Sequence, residues 1–322
     1  MPFSILDTRR VEWQNRKKAW ISLGINSEEG RKEELAFSKS AQSPNVYEKK
    51  NELRQILNRE PTWDEVLQYC KSKGVKTSAG TSIFDPVLCE LMYRWFNIEG
   101  GVVLDPFAGG SVRGIVASKL GMTYNGCDLR QEQIDANYKN AVEVLSENEN
   151  IPNWVCGDST FIDEHFKGLK ADMIMTCPPY ADLEVYSDDP KDLSNMPYGD
   201  FIKAYRNIIY KTAQMLKPNR FAVIVVGEVR DKNGYYYNFV SDTIKAAVDA
   251  GLKYYNEAIL INEIASAAIR INKQINTSRK IGKVHQNVLV FYKTGDYKIK
   301  DEFKNIDISE EDLNRFLSEF ND

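Results

Sequence analysis

Val102-Val103-Leu104-Asp105-Pro106-Phe107-Ala108-Gly109-Gly110 is the stretch whose reading decides the fold. An apolar run ends in an acid, a proline closes it, and small residues follow before a helical pattern near 112–120. That is the layout of a buried strand, a turn whose glycines let backbone approach a ligand, and a crossover helix. About 70 residues on, Asp172-Met173-Ile174-Met175-Thr176-Cys177-Pro178-Pro179-Tyr180 is a second apolar run, ending in a stiff Pro-Pro-Tyr.

Outward from these strings the chain alternates. Strand-like runs fall at 102–105, 123–127, 153–156, 172–176, 220–227, 254–261 and 287–292, with helical patterns near 112–120, 131–145, 198–216 and 237–250. Strands alternating with helices mean right-handed βαβ units and a mostly parallel sheet, here seven-stranded, with helices on both faces. The last two runs, joined by a basic connection, are placed to close the sheet as an antiparallel pair. Asp85-Pro86 starts a helix through Leu88, Leu91, Met92 and Trp95. Thr62 and Glu65 form a capping box before another, which Gly74 ends. Residues 1–80 read as a mainly helical N-terminal extension, 81–300 as the α/β domain, and 301–322 as an acidic tail with an amphipathic helix at 309–320. Within 1–50, basic and aromatic residues interleave at Arg16-Lys17-Lys18-Ala19-Trp20 and Phe37-Ser38-Lys39-Ser40, the texture of a surface that touches nucleic acid.

Composition sets the class. With 43% hydrophobic and 27% charged residues in 322, the chain can bury a sizeable core. No apolar run reaches the roughly 18 residues a membrane span needs, and no secretory leader is evident. The expected location is the cytoplasm of a bacterial or phage-infected cell. Five scattered cysteines (Cys70, Cys89, Cys127, Cys156, Cys177) fit reduced thiols, four of them small buried hydrophobes, and no metal site is expected. The net charge of −4 divides unevenly: +4 over residues 1–80, −9 over 81–263, +7 over 264–300 and −6 beyond. Basic flanks around an acidic centre suit an enzyme that grips a polyanion outside its pocket. Arg279, Lys280 and Lys283 are the candidate phosphate contacts, with His285 beside them.

Three acids end three successive strands. Asp105 can accept from a cationic amino group, Asp128 suits a ribose diol, and Asp158 can accept from an adenine amino group. In order, these pieces resemble the motifs of the S-adenosylmethionine-dependent amino-methyltransferases of DNA, which modify N4 of cytosine or N6 of adenine. Thr81-Ser82-Ile83-Phe84-Asp85-Pro86 looks like the segment that closes over the methionine moiety. Asp105 to Gly110 looks like the cofactor motif, and Cys177-Pro178-Pro179-Tyr180 like the catalytic motif. Asp182-Leu183-Glu184-Val185-Tyr186-Ser187, Val226-Gly227-Glu228-Val229-Arg230-Asp231 and 283–291 extend the resemblance to a phage and plasmid group of DNA methylases often linked to ParB-type nuclease domains. No such nuclease domain is expected in these residues. The resemblance implies a Rossmann-like class I methyltransferase fold. It implies S-adenosylmethionine held by Thr81, Phe84, Asp85, Asp105, Phe107, Ala108, Gly109, Gly110, Asp128 and Asp158. It also implies double-stranded DNA with a flipped base as substrate, and it allows a homodimer.

One residue departs from the pattern. Where that family has Asp, Asn or Ser before Pro-Pro-Tyr, this chain has Cys177. Exocyclic amine methylation needs an acceptor for N–H density, and a thiol is a poor one, although the backbone carbonyls held by Pro178 and Pro179 remain. Tyr180 would stack on the base. A cysteine is also a good nucleophile. Addition to C6 of a pyrimidine would activate C5, with Asp182, Glu184 or Glu228 supporting the ring nitrogen. An RNA-base methyltransferase and an inactive nucleic-acid-binding module are the other readings.

Overall fold

Successive side chains of the central strands go to opposite faces, and each face is buried. Val103, Met173, Val223 and Val288 enter one core, while their neighbours Leu104, Ile174, Ile224 and Leu289 enter the other. The computed structural model describes residues 2–25, 44–75, 84–180, 192–262 and 267–306. Within them the sheet has eight strands in the order β1-β7-β8-β6-β5-β2-β3-β4. These are β1 (Ile5–Asp7), β2 (Val102–Asp105), β3 (Thr123–Asp128), β4 (Asn153–Cys156), β5 (Ala171–Thr176), β6 (Leu216–Val226), β7 (Lys253–Ile261) and β8 (His285–Lys293). Strands β2 to β6 pair in parallel, and β8 runs antiparallel between β6 and β7. This is the mostly parallel, Rossmann-like arrangement with helices on both faces that the sequence predicts, with one strand more than the expected seven.

The additional strand comes from the N-terminus. β1 pairs in parallel with β7, and Thr8 continues the contact by donating its hydroxyl to the Ile261 carbonyl at 2.8 Å. Helix α1 (Val11–Ser22) then packs on α4 (Pro86–Phe96). The basic-aromatic segment expected on a nucleic-acid surface is therefore corrected in part. Trp20 is 1% exposed and donates to Glu90 at 2.8 Å, and Arg16 forks onto the same buried carboxylate. Lys17 pairs with Asp85 at 3.1 Å. A buried acid with these cations and an indole around it is an anchor. Phe37–Ser40 and the helix expected at 309–320 lie outside the described residues.

Helices α2 (Pro44–Leu57) and α3 (Trp63–Ser72) form a small core of their own around Val46, Leu53, Val66 and Cys70. The Thr62–Glu65 capping box forms, and Gly74 sits past the helix end with φ +65°. Helices α4, α5 (Val112–Lys119) and α6 (Gln131–Val144) cover one face of the sheet with α1. The short α7 (Ile162–His165), α8 (Tyr198–Met215) and α9 (Phe239–Asp249) cover the other. The basic connection between β7 and β8 contains a helix that the sequence reading missed, α10 (Ala267–Ser278). No helix among the described residues is long and apolar enough to cross a membrane. Cys70, Cys89 and Cys127 are buried as expected, but Cys156 is exposed at the end of the edge strand β4.

Candidate active site

The carboxyl ends of β2, β3, β4, β5 and β6 converge on one edge of the sheet, where doubly wound folds take ligands. Asp105 ends β2 with 0% exposure. Its Oδ1 accepts from Phe107 N at 3.0 Å and Thr176 Oγ1 at 2.6 Å, and its Oδ2 from Arg113 Nε at 2.6 Å and Tyr124 OH at 2.7 Å. Four donors saturate a carboxylate. Asp105 is thus not the ligand-facing acceptor that the sequence suggested. It is the post that ties the loop after β2 to the end of β5, and so joins the two diagnostic strings.

Arg113 was not singled out in the sequence, although it is the one charge in Val112-Arg113-Gly114-Ile115-Val116-Ala117. Buried on α5, it bonds Asp105 and also donates to the Phe107 and Ala108 carbonyls at 2.6 and 2.9 Å. Its guanidinium lies 4.6 Å from the ring centre of Phe84. One side chain therefore shapes the 106–110 loop and holds Phe84 against it. Asp85, next to Phe84, is corrected as a ligand contact. Its Oδ1 caps α4 through Val87 N and Leu88 N, and its Oδ2 takes Trp13 Nε1 and the Lys17 ammonium. Thr81 lies outside the described residues.

Asp128 differs from Asp105. Its Oδ2 accepts from Gly109 N at 3.0 Å and its Oδ1 from Arg130 N at 2.9 Å, so each oxygen keeps acceptor capacity, and the side chain is only partly buried. Burial pushes its carboxyl above the usual range. Gly109 takes φ +52°, and a Cβ built there would meet nothing within 4 Å, so this backbone borders open space. Asn137 braces the loop from beneath, donating to the Gly109 carbonyl at 2.7 Å. Ala108 N bonds the Cys127 carbonyl at 2.9 Å, an approach for which Gly126 leaves room. Phe107 stacks on Tyr205 with ring centres 6.0 Å apart, and Gly110 completes the turn. Asp158 caps the turn after β4 through Thr160, and His165 fills the space beside Gly157 with its Nε2 3.0 Å from the Asp158 carbonyl. His165 is therefore a brace under this loop.

At the end of β5, Pro178 is buried and Cys177 half-buried. Cys177 Sγ lies 3.8 Å from the Tyr180 hydroxyl, which takes a hydrogen bond from Gln286 Nε2 on β8 at 2.6 Å. The Tyr180 ring meets Phe239 edge-on. Glu228, after β6, caps α9 with both oxygens, accepting from Phe239 N at 3.1 Å and Val240 N at 3.2 Å. That correction removes it as an obvious proton donor. Glu184 and Asp182 lie outside the described residues. Beside Glu228 a cleft of about 270 Å³ is lined by Tyr236, Val240, Lys283, His285 and Asn287. Burial lowers the pKa of Lys283 and of His285. Arg279 is exposed and Lys280 half-buried on the same connection.

No protein-family profile and no curated protein matches the chain. Solved structures do align with it. TrmN from Thermus thermophilus aligns at 15% identity and TM-score 0.45, over 65% of this chain and 49% of that one. A TehB-like SAM-dependent methyltransferase from Corynebacterium glutamicum aligns at 15% and 0.40, over 72% and 96%. The SAH-bound magnesium protoporphyrin IX methyltransferase of Synechocystis aligns at 13% and 0.43, over 65% and 81%. Likenesses this distant decide nothing about the reaction.

Proposed function

We propose that the chain transfers a methyl group from S-adenosylmethionine to a base in DNA, at an exocyclic amine of a flipped cytosine or adenine. The observation that carries the reading is the 2.6 Å hydrogen bond from Thr176 to Asp105. It makes the glycine-rich loop and the Pro-Pro-Tyr loop two walls of one site.

The residues present fit the cofactor. Asp128 offers acceptor capacity for a diol, Gly109 presents backbone to open space, and Phe107 and Phe84 give apolar walls. When bound, the cofactor supplies an electrophilic methyl on a sulfonium. The chain's own part is to hold the amine in line and draw off its N–H density. The carbonyls of the Cys177-Pro178-Pro179 segment serve as acceptors, since prolines fix this backbone and donate nothing. Tyr180, steadied by Gln286, offers an aromatic wall to the base, whose extrusion costs a few kcal/mol. The C5 route has less support, because Glu228, the described residue among its candidate acids, serves as the cap of α9; Asp182 and Glu184 lie outside the described residues.

Competition binding with duplex DNA, RNA and free nucleotides, followed by transfer of labelled methyl, tests the reading. Preference for duplex DNA with label in it is expected. Label in RNA or nucleotides instead, or binding to DNA without transfer, would replace it with one of the rival readings.

A further inference from the structure

Immediately after Glu228 the chain runs out and back as a tongue, Val229 to Tyr237; its first three residues end the stretch that resembles the DNA methylases, and Lys232 to Tyr237 lie beyond it. The tongue is tightly built. Arg230 and Tyr236 bridge as an antiparallel pair, and Tyr237 N bonds the Val229 carbonyl at 3.0 Å. Asp231 N donates to the Tyr235 carbonyl, while Tyr235 N donates back to Asp231 Oδ1, both at 2.8 Å. Arg230 lies 3.9 Å over the Tyr236 ring centre and also donates to the Gly234 carbonyl at 2.7 Å. At the root, Tyr237 stacks on Tyr198 at 4.2 Å and 7°. Yet at the tip Tyr235 is 74% exposed. An ordered loop that presents a large aromatic ring to water spends apolar surface without burying it.

The basic connection before β8 lies against this tongue. The Lys280 ammonium fills the space that a Cβ at Gly234 would need, and Lys283 shares the cleft with Tyr236. Ile281 between them is 77% exposed. Lys280 and Lys283 thus lie against the tongue that carries Tyr235 and Tyr236; Arg230 and Lys232 belong to the tongue itself, and Arg279 precedes Lys280 on the connection. Among the described residues three acids lie near this surface and keep their charge, Glu228 as the cap of α9, Asp231 in the tongue's own turn and Glu257 beneath Asn287, so the five cations outnumber them. The root of the tongue adjoins the Pro-Pro-Tyr loop, since a Cβ at Gly227 would lie 3.9 Å from the Tyr180 ring. Rings interleaved with cations form the chemistry that takes a nucleic-acid strand, with bases on the rings and phosphates on the cations.

We propose that the tongue and the 279–283 connection form a clamp on DNA beside the reacting base, with Tyr235 stacking on a base and Lys280 and Lys283 meeting phosphates. This rests on the proposed function and names the surface that would hold its substrate. Because the tongue is already ordered, little conformational entropy is lost on binding.

The test is binding of a short fluorescent DNA duplex to the full chain, as a function of salt, alongside labelled-methyl transfer. Tyr235→Ala should weaken binding by roughly 5- to 100-fold, the loss expected for one stacked base, with the salt slope unchanged. Tyr235→Phe should bind as the parent does, because the ring and not the hydroxyl carries the contact. Lys280→Ala should lower the salt slope by about one. Parental affinity in Tyr235→Ala, or equal loss in Tyr235→Phe, would overturn the clamp while parental methyl transfer leaves the proposed function standing. A parent that binds RNA but not DNA would overturn the assigned partner, and a parent that neither binds DNA nor transfers methyl would remove both.

Discussion

Two acids at neighbouring strand ends look interchangeable as letters and do different work. Asp105 is saturated by Arg113, Tyr124, Thr176 and the Phe107 amide, whereas Asp128 keeps acceptor capacity toward the loop's open side. Asp105→Ala should therefore act on stability, costing on the order of 3–5 kcal/mol in denaturant unfolding because it strands the buried Arg113 charge. Asp128→Ala should cost less in unfolding, about 1–2 kcal/mol for its two backbone N–H bonds. If its diol contact is charge-assisted, it should weaken S-adenosylmethionine binding by about 1.5–3 kcal/mol in calorimetric titration. Equal effects of both substitutions on cofactor affinity, with no difference in unfolding, would refute this division. Cys177 separates the two chemistries. With an amine target, Cys177→Ser should retain or raise activity by supplying an oxygen acceptor. With attack on C6 it should abolish transfer, and the parent should then form an adduct with DNA carrying 5-fluorocytosine that survives denaturing electrophoresis.

At the scale of elements, the βαβ body was legible because its periodicities are strong: five parallel strands, the final antiparallel pair and the capping box of α3 all lie where patterning puts them. β1 was not, since three residues give no alternation to read, and its strand exists through pairing with β7. α1 was not delimited because its polar sequence carries a weak amphipathic signal, and it is held by the Arg16–Glu90–Trp20 knot between elements far apart in sequence; α10 has an amphipathic pattern as clear as that of α8 and was passed over for its basic, polar composition. In the site, acid positions were readable, but which acid is spent internally depends on Arg113, Tyr124 and Thr176, and no single stretch reveals that meeting. Leu6→Ala should destabilise by about 2–5 kcal/mol and loosen the cover of the β7 edge, which hydrogen exchange on β7 would report. At the amino-terminal end of the central strand β5, Asp172 is buried and takes bonds from Lys217, Val102 N and Arg220. Burial alone would raise its pKa, but these partners hold it below the usual carboxylate value. A lowered folded pKa contributes stability above the unfolded value near 3.9, lost as pH falls through the folded one. The parent should accordingly exceed Asp172→Asn in melting temperature near neutrality, and the gap should close below about pH 4; a gap independent of pH would refute the linkage.

The whole molecule keeps its positive charge at the flanks, +7 over residues 264–300 against −9 over 81–263. An acidic body disfavours a polyanion away from the basic segments, so for the proposed DNA substrate this charge pattern would set orientation before any base is read. Neutralising Arg279, Lys280 and Lys283 together should flatten the salt dependence of DNA binding by up to about three units of slope, one per lost phosphate contact. An unchanged slope would move the contact surface elsewhere. The central claim, methyl transfer to an exocyclic amine of a DNA base, is tested most directly by mass spectrometry of nucleosides from duplex DNA incubated with the protein and isotope-labelled S-adenosylmethionine. The expected product is labelled N4-methylcytosine or N6-methyladenine. Labelled 5-methylcytosine, or DNA nucleosides without label, would contradict it.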